Sequence, residues 1–334
     1  MALIIGIDVG GTNLRLGVVQ YEVQYKVQYK VQCKVQCNEV ESQDERPELL
    51  DEMRFQADFS GLCKAHHNDP GQAWHKILTT IAAAINAVRA KYPAVAAVGI
   101  GFPGFIDPHT QKISLSPNLP GLTDVDLSTD LSALIALPVI TENDALAAAY
   151  GEFVTAAKPV NNLIYLGLGT GVGGGLILNR QPFQGQHGVA MEVGHIITVP
   201  NGRLCGCGNH GCMEQYASAS GVSLTYLQAS GEHCSAAEIA ARAKAGDQNA
   251  MAAYSLAGES LAQALAHILK VIDVTDVVVG GGMSAGWQCM QQAFQQRLDQ
   301  DLIPALRGKV NVRISTMDDE AGIIGAAMLA HNKL

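Results

Sequence analysis

The sequence has no hydrophobic run long enough to cross a membrane, and it carries little positive charge. Its 334 residues include 22 Lys and Arg against 31 Asp and Glu, for a formal net charge of −9. No segment approaches the roughly 20 apolar residues that a membrane-spanning helix needs. A protein that binds a phosphate backbone normally presents a basic face, so nucleic acid is a poor candidate partner. We expect neither a membrane nor a nucleic acid among its partners.

The first residues also lack the features of a secretory signal peptide. They contain no basic segment, and Asp8 interrupts the short apolar run 3–7. We therefore expect a cytoplasmic protein, in which the eight cysteines are thiols or metal ligands rather than disulfides. Hydrophobic residues make up 48% of the chain and charged residues 16%, which is typical of a globular protein. A chain of this length exceeds one ordinary core, so two domains are expected.

Three of the cysteines have the spacing of metal ligands. They form a C-x-C-x4-C cluster, and a histidine lies shortly before them: Cys205, Cys207, Cys212 and His195. Three thiolates and one imidazole complete a tetrahedral zinc site with no open position for catalysis. The remaining five cysteines have no such spacing and predict no chemistry. Two carboxylates, Glu192 and Glu214, flank the ligands and are candidates for contacts with a substrate.

Two patterns of strand, glycine turn and strand occur, one in each half of the chain. The first has a turn, GGTN, at 10–13 between apolar runs, and the second has a glycine-rich turn at 169–175. Turn amides and a threonine hydroxyl can bind phosphate oxygens, and Asp8 is placed to hold Mg²⁺ through water. Neither turn is a Walker loop or a Rossmann fingerprint. Each alone is equally typical of a tight hairpin, but the pair suggests a duplicated fold that holds phosphates.

Asp144 stands where a predicted strand, 139–141, meets a predicted helix, 145–153. A carboxylate at such a junction lies at the carboxyl edge of a sheet, where α/β proteins place their sites. Asp144 is therefore a candidate general base. A helix N-cap explains the same position, and both interpretations stay open here. Asn118, between two prolines, is likewise either a held amide or part of a plain turn.

The rest of the chain predicts scaffold. A VQYK-like repeat over 21–37 has strand period and indicates a low-complexity expansion of a surface hairpin without chemistry. The polar segment 38–70 predicts a solvated connection. Strand and helix patterns alternate as in a parallel or mixed sheet with covering helices, with helices predicted at 73–91, 217–228, 236–245, 249–272, 287–306 and 321–331. A glycine run at 280–282 can let a ribose or a flat ring lie against the backbone.

Five motifs in this order resemble the ROK family (repressor, open reading frame, kinase) over nearly the whole chain. They are IDVGGTNLRLG, ENDALAAAYGE, LGLGTGVGGG, EVGH followed by CGCGNHGCME, and VVVGGGMS. The resemblance implies an α/β, two-lobed actin-like ATPase (ribonuclease H-like) fold with a cleft between duplicated lobes. We place the lobes at 1–140 and 141–334, with the zinc loop in the second and the last helix free to pack on the first.

The resemblance also implies an ATP-dependent hexose kinase that uses ATP, Mg²⁺ and a structural Zn²⁺. Asp144 matches the base that takes the proton of the sugar hydroxyl as it attacks the γ-phosphate. The sugar-contacting positions match Asn118, Asn143, Glu192, His195 and Glu214, with His195 also a zinc ligand through its other ring nitrogen. The nucleotide positions match Asp8, Gly10, Gly11, Thr12, Asn13, Thr170 and Gly171 on the phosphate side and Gly281 and Gly282 on the adenosine side.

The family also contains sugar-responsive repressors, which carry a winged helix-turn-helix before the first phosphate motif. Here that motif begins within a few residues of Met1, and we expect a kinase instead. A non-catalytic sugar sensor is disfavoured because Asp8 and Asp144 are both present. Glucose is the expected substrate, and fructose, N-acetylglucosamine, N-acetylmannosamine and allose stay open. We expect a homodimer or a higher homo-oligomer.

One residue departs from the family pattern. Met191 stands where the family usually has a glycine, immediately before Glu192. The methionine adds bulk beside the glutamate. We therefore expect either a reshaped sugar pocket or an altered backbone turn at this position.

Overall fold

The structure, a computed structural model, describes residues 2–10, 13–21, 23–28, 39–44, 46–317 and 319–333. The chain divides into two compact units, Met1–Ala157 with Glu320–Leu334, and Lys158–Asp319. The first unit thus ends 17 residues beyond the predicted boundary at 140, because a strand and a helix that follow that boundary pack with it. None of the described helices combines the length and the apolar character that a membrane crossing requires.

The first unit is a five-stranded sheet with covering helices. The sheet has the strand order β5-β2-β1-β6-β9, in which β1 is antiparallel to β2 and parallel to β6. Its elements are β1 Ala2–Val9, β2 Asn13–Tyr21, β3 Val23–Gln28, β4 Glu39–Asp44, β5 Glu48–Gln56, α1 Phe59–Ala65, α2 Pro70–Lys91, β6 Val95–Phe102, β7 Phe105–Ile106, β8 Ile113–Leu115, α3 Leu127–Ile135, β9 Val139–Asn143, α4 Asp144–Val154 and α10 Glu320–His331.

The second unit repeats this arrangement. Its sheet has the order β12-β11-β10-β13-β14, in which β10 is antiparallel to β11 and parallel to β13. Its elements are β10 Leu163–Leu168, β11 Val172–Leu178, β12 Gln181–Pro182, α5 Glu214–Ala217, α6 Ala219–Ser230, α7 Ala236–Lys244, α8 Gln248–Ile272, β13 Asp276–Gly280, α9 Trp287–Asp301 and β14 Asn311–Ile314. In both units a hairpin is continued by two parallel strands, which confirms the duplicated α/β fold predicted from the two glycine turns.

The segment 38–70 is not a solvated connection, and that prediction is wrong. It forms β4, β5 and α1, and β5 pairs with β2 from Asn13↔Gln56 to Gln20↔Glu48. Strand β5 lies at the sheet edge and none of its residues is fully buried, so it lacks the apolar alternation that marks inner strands. Residues 23–28 of the predicted repeat form β3, which pairs antiparallel with β4. Residues 22 and 29–37 of the repeat lie outside the described residues.

Four further boundaries differ from those predicted. The glycines 173–175 belong to strand β11 rather than to the turn. The helix predicted at 217–228 is α6, which begins at Ala219 because the Ser218 hydroxyl accepts the Gly221 N–H at 3.0 Å and caps it. Helix α9 ends at Asp301, five residues earlier than predicted. The predicted loop 113–122 begins with the short strand β8.

Candidate active site and metal centre

In the first unit, the predicted metal-binding and catalytic carboxylates lie at the same edge of one sheet. Asp8 near the end of β1 is paired with Gly101 of β6, and Gly101 with Glu142 of β9. Neighbouring strands are about 4.8 Å apart, so the backbones of Asp8 and Glu142 are separated by roughly 10 Å. Asp144 follows two residues later, at the start of α4. The carboxyl edge of this sheet therefore carries both acids.

The first phosphate turn is closed by its own backbone. The Gly10 N–H donates to the carbonyl of Asn13 at 2.9 Å, between the paired strands β1 and β2. The carboxylate of Asp8 lies 3.8 Å from a guanidinium nitrogen of Arg15 on the opposite strand. The two central residues, Gly11 and Thr12, lie outside the described residues, so their phosphate contacts stay predictions.

Asp144 is not the N-cap of α4, so the alternative interpretation of this residue is wrong. The cap is Asn143, whose side-chain oxygen accepts the Leu146 N–H at 3.0 Å while its amide nitrogen donates to the Gly104 carbonyl at 3.1 Å. Asp144 is the first helical residue, and its carboxylate accepts the N–H of Ala145 at 2.8 Å. The neighbouring residue already fulfils the capping role, and the carboxylate of Asp144 is available for another one.

Burial gives the Asp144 carboxylate a property that a general base needs. Loss of hydration raises its pKa above the ordinary value, and the hydrogen bond from the Ala145 backbone opposes this only in part. A higher pKa makes the carboxylate a stronger proton acceptor near neutral pH. Perturbed carboxyl groups of this kind are concentrated in functional sites.

The predicted sugar contact Asn118 is exposed at the tip of a turn whose base is fixed. The buried Ser116 hydroxyl donates to the carbonyl of Pro103, and the N–H of the buried Leu119 donates to the Ser116 carbonyl at 3.1 Å. Ser116 therefore positions Asn118 relative to the end of β6. Sequence reasoning missed this serine, since a lone serine in a polar loop carries no signal.

In the second unit, the four predicted metal ligands are together. The Cys205 sulfur lies 3.6 Å from Nδ1 of His195, and the sulfurs of Cys207 and Cys212 are 3.6 Å apart. All four ligand atoms lie within 4.8 Å of one another. Zinc–sulfur bonds of about 2.3 Å and zinc–nitrogen bonds of about 2.05 Å give tetrahedral edges of about 3.8 and 3.6 Å, respectively. The donor set therefore fits a tetrahedral zinc ion.

The surroundings of the metal ligands orient the histidine. Nδ1 of His195 faces the thiols, and its Nε2 lies 3.7 Å from a carboxylate oxygen of Glu192. A carboxylate on the second nitrogen of a metal-binding histidine fixes the ring orientation.

Burial raises the pKa of Cys212 to about 12, and a hydrogen bond from the Asn209 backbone lowers the pKa of Cys207. Both thiols lose their protons on binding a metal.

Glu214 joins the metal cluster to the second phosphate turn. The turn is closed by the Gly169 N–H, which donates to the Gly171 carbonyl at 2.9 Å. One carboxylate oxygen of Glu214 accepts the Val172 N–H at 3.0 Å, and the other lies 4.0 Å from the Cys205 sulfur. A Cβ on Gly171 would lie only 2.4 Å from that first oxygen, so the contact requires glycine.

An open groove of about 640 Å³ lies beside this turn, within the second unit. We call it the nucleotide groove, after the ATP that the family resemblance predicts beside this turn. Its lining includes the exposed Thr170 of the turn, the first turns of α6 and residues 233–236. Gly281, predicted to face adenosine, packs against the Leu168 backbone, and neither it nor Gly282 lines the groove. Sequence reasoning missed the α6 face, because its serines and alanines are typical of any surface helix.

Arg203 holds the metal loop, residues 195–214, against helices α5 and α6. Its guanidinium carbon lies 4.7 Å from the ring centroid of Tyr216, and its backbone N–H donates to the Tyr216 hydroxyl at 2.9 Å. Guanidinium nitrogens donate, at 2.7–3.2 Å, to four further oxygens in Gln215, Gly221, Thr225 and Gln228. The residue was not predicted, because its partners are backbone carbonyls and polar groups remote in the sequence.

Met191 adopts a backbone conformation that favours glycine. Its φ is +64°, in the left-handed region, and its side chain packs against the core of the second unit. The Met191 carbonyl accepts the N–H of Val193 at 2.7 Å. This hydrogen bond closes a turn that contains Glu192 and precedes His195. The turn therefore keeps a glycine-type backbone although the residue is methionine, and the methionine packs into the core as well.

We expect the Met191→Gly variant to be more stable than Met191→Ala. Both changes remove the packing of the methionine atoms beyond Cβ. Only alanine keeps a Cβ, which costs roughly 1 kcal/mol in the left-handed region. Thermal unfolding measures the difference. Gly231→Ala, at a helix end with φ of +77° and open space around the Cβ position, is the matched control for that backbone cost. Equal stability of the two Met191 variants would contradict the strained backbone.

Several known proteins are similar to this chain in sequence or in structure. A model of the ROK family matches residues 53–333. The glucokinase of Streptomyces coelicolor is 30% identical over 99% of this chain and 98% of that protein. The N-acetylmannosamine kinase of Yersinia pestis is 32% identical over 76% of this chain and 86% of that protein. The crystal structure of a ROK family glucokinase from Streptomyces griseus with glucose and AMPPNP has a TM-score of 0.76 at 27% identity, covering 99% of this chain and all of that one.

Proposed function

The chain belongs to the ROK family, and on that basis we propose that it is an ATP-dependent hexose kinase that phosphorylates the 6-hydroxyl of glucose. The observation that carries the proposal is the position of Asp144. Its carboxylate has a raised pKa, is not the helix cap and lies at the sheet edge that also carries Asp8. A base and a metal-binding acid at one sheet edge are the two acids that phosphoryl transfer to an alcohol requires.

In this mechanism Asp144 accepts the proton of the sugar hydroxyl while the hydroxyl oxygen attacks the γ-phosphate of ATP, the bond to the β-phosphate oxygen breaks and ADP leaves. Backbone N–H groups of the glycine turns would bind the phosphates, and Asp8 would hold Mg²⁺, which would neutralise phosphate charge. The proposed phosphate contacts are Gly10, Gly11, Thr12, Asn13, Thr170 and Gly171. We propose that the nucleotide groove beside Thr170 receives the rest of ATP. The family resemblance also assigns Gly281 and Gly282 to the adenosine side.

The proposed sugar contacts each have a structural reason for their orientation. The Asn143 side chain is fixed because it caps α4 and donates to the Gly104 carbonyl. Asn118 is fixed by the turn that Ser116 supports. In the second unit, Glu192, His195 and Glu214 are proposed to bind sugar hydroxyls. A zinc ion held by His195, Cys205, Cys207 and Cys212 would be structural, because its four protein ligands complete a tetrahedron.

Glucose is favoured as the substrate because a glucokinase is similar to this chain over nearly its whole length. N-acetylmannosamine is the second candidate, because a kinase for that sugar is comparably similar over three quarters of the chain. Sites that hydrogen-bond a sugar hydroxyl reject analogues that lack it, so one substrate should stand out.

We also propose that the protein is cytoplasmic and forms a homodimer or a higher homo-oligomer. Light scattering of the purified protein measures the mass of this oligomer.

An assay coupled to ADP release, run with a panel of hexoses and N-acetylhexosamines, tests the function. We expect glucose to have a kcat/KM at least about tenfold above that of N-acetylmannosamine, the factor that the loss of one hydrogen bond of about 1.4 kcal/mol implies. A preference for an N-acetyl sugar would overturn the glucose assignment alone. No phosphorylation of any sugar in the panel would overturn the kinase.

A further inference from the structure

Two side chains of the metal loop reach the wall of the nucleotide groove. Glu214, two residues after Cys212, accepts the Val172 N–H of the second phosphate turn. Arg203, two residues before Cys205, binds α6, the helix whose first turns line the groove. Both links therefore start immediately next to a metal ligand.

The Glu214 link has the properties of a strong contact. A carboxylate that accepts a backbone N–H forms a charge-assisted hydrogen bond, about twice as strong as a neutral one. The carboxylate also fills the space next to Gly171 that a Cβ would occupy. The turn that bears Thr170 is therefore held in position by a side chain of the metal loop, Glu214.

The Arg203 link acts on the other wall of the groove. Its guanidinium donates to the Gly221 carbonyl and the Thr225 hydroxyl, in the first two turns of α6. The N–H of Ala219, the first residue of α6, donates in turn to the Gly169 carbonyl of the phosphate turn at 2.9 Å. The helix and the turn are thus connected to each other and each is connected to the metal loop.

Backbone hydrogen bonds hold the outline of the metal loop. Met213 donates to the Ile196 carbonyl at 2.8 Å and Gly211 to the Arg203 carbonyl at 2.8 Å. Cys207 is exposed and contacts the cluster through its sulfur. A bound metal would add a side-chain constraint, because it would join His195 to Cys205, two residues after Arg203, and to Cys212, two residues before Glu214.

We infer that the metal loop positions the nucleotide groove, so that loss of the metal weakens nucleotide binding even when no sugar is present. Arg203 and Glu214 are the positioning residues, and Glu214 acts through the Val172 amide as well as in its proposed sugar contact. The inference rests on the proposed function, since it assumes that the groove binds ATP or ADP.

Calorimetric titration of ADP with Mg²⁺ into the purified protein, without sugar, tests this inference. The protein is compared as isolated, after removal of zinc with a chelator and after zinc is restored, with the metal content measured each time. We expect the Kd for ADP to rise by about tenfold without zinc, as loss of a hydrogen bond to a charged group implies, and to recover when zinc returns.

Variants of the zinc-loaded protein separate the two links. Glu214→Ala and Arg203→Ala should each raise the Kd for ADP by about fivefold or more, whereas Glu214→Gln retains an acceptor for Val172 and should recover most of the affinity. The matched control is Asp299→Ala, which removes an exposed carboxylate of α9 that accepts a hydrogen bond from Gln295 outside the metal loop and the groove, and its Kd should stay within about twofold of wild type. Hydrogen exchange of the peptide around Val172 should quicken in the zinc-free protein and in Glu214→Ala.

An ADP affinity that does not change on zinc removal, with unchanged exchange at Val172, would overturn the coupling and leave the kinase proposal intact. Absence of ADP binding in every form of the protein would overturn both. Unfolding of the zinc-free chain would leave the decision to the zinc-loaded Arg203→Ala and Glu214→Ala variants, where wild-type ADP affinity in both also overturns the coupling.

Discussion

The Asp144→Ala variant is expected to lose about 10³-fold in kcat, within the range attributed to a positioned general base. Its ADP affinity and its melting temperature should stay close to those of wild type. The physical reason is that Asn143 is the N-cap of α4 and accepts the Leu146 N–H, whereas Asp144 accepts the N–H of the adjacent Ala145. Steady-state kinetics with glucose, ADP titration and thermal unfolding together measure the three quantities.

Asn143→Ala is the matched control, since it removes the cap and leaves Asp144 in place. It should lower the free energy of unfolding by about 1 kcal/mol, the usual value of an N-cap side chain. The reverse pattern, a destabilised Asp144→Ala beside an unaffected Asn143→Ala, would restore Asp144 to the role of a cap. Turnover of Asp144→Ala within tenfold of wild type would remove it as the base.

The raised pKa of Asp144 also fixes the direction of the pH effects. A base must be deprotonated, so turnover falls as the pH drops through the folded pKa, which lies above the ordinary value of 3.8. A carboxyl group whose folded pKa is raised favours the folded state below its unfolded pKa and loses that contribution as the pH rises. Removal of this carboxyl group therefore costs no stability at neutral pH, in agreement with the expected melting temperature of Asp144→Ala.

The sequence predicted best those features whose residues are close together in the chain. The metal ligands occupy a short segment with a recognisable spacing, and the structure brings their four ligand atoms within 4.8 Å of one another. The inner strands were also recognisable, because runs such as Val95–Phe102 are buried almost throughout. In both cases a local pattern carries nearly all of the physical information.

Features that depend on distant contacts were missed or misassigned. Strand β5 was predicted as a connection because an edge strand can be rich in charged residues, and only its pairing with β2 makes it a strand. The glycines of β11 were predicted as a turn, whereas they lie in the strand, where Gly174 is required because a Cβ there would approach the Met191 carbonyl to 2.5 Å. Arg203 had no local signal, since its partners lie 12 to 25 residues away.

Glu214 shows how a motif can identify a residue without its contacts. The family resemblance assigned it to the sugar, and the structure places one carboxylate oxygen on the backbone of the second phosphate turn and the other near Cys205. The contact depends on the glycine at 171 and on helix α5 starting at Glu214 itself. Neither dependence follows from the spacing of the motif.

The Cys207→Ser variant is expected to lose bound zinc and to melt at a lower temperature than wild type. Serine is protonated at neutral pH and does not replace a thiolate, so a four-ligand site is reduced to three ligands. Mass spectrometry of the metal content should find about one zinc per wild-type chain and much less in the variant. Cys207 is exposed, so the change removes little packing and the loss of stability reports the metal.

Cys289→Ser is the control for the loss of a thiol. This cysteine is half-buried outside the cluster, where its sulfur donates to the Ala240 carbonyl at 3.7 Å, and serine can make the same bond. The control should retain zinc and melt near the wild-type temperature. Because Cys207 belongs to the loop that carries Arg203 and Glu214, the Cys207→Ser variant should also bind ADP more weakly than the control. A wild-type protein without zinc would remove the basis for both expectations, whereas a zinc-loaded Cys207→Ser would show that the other three ligands hold the metal by themselves.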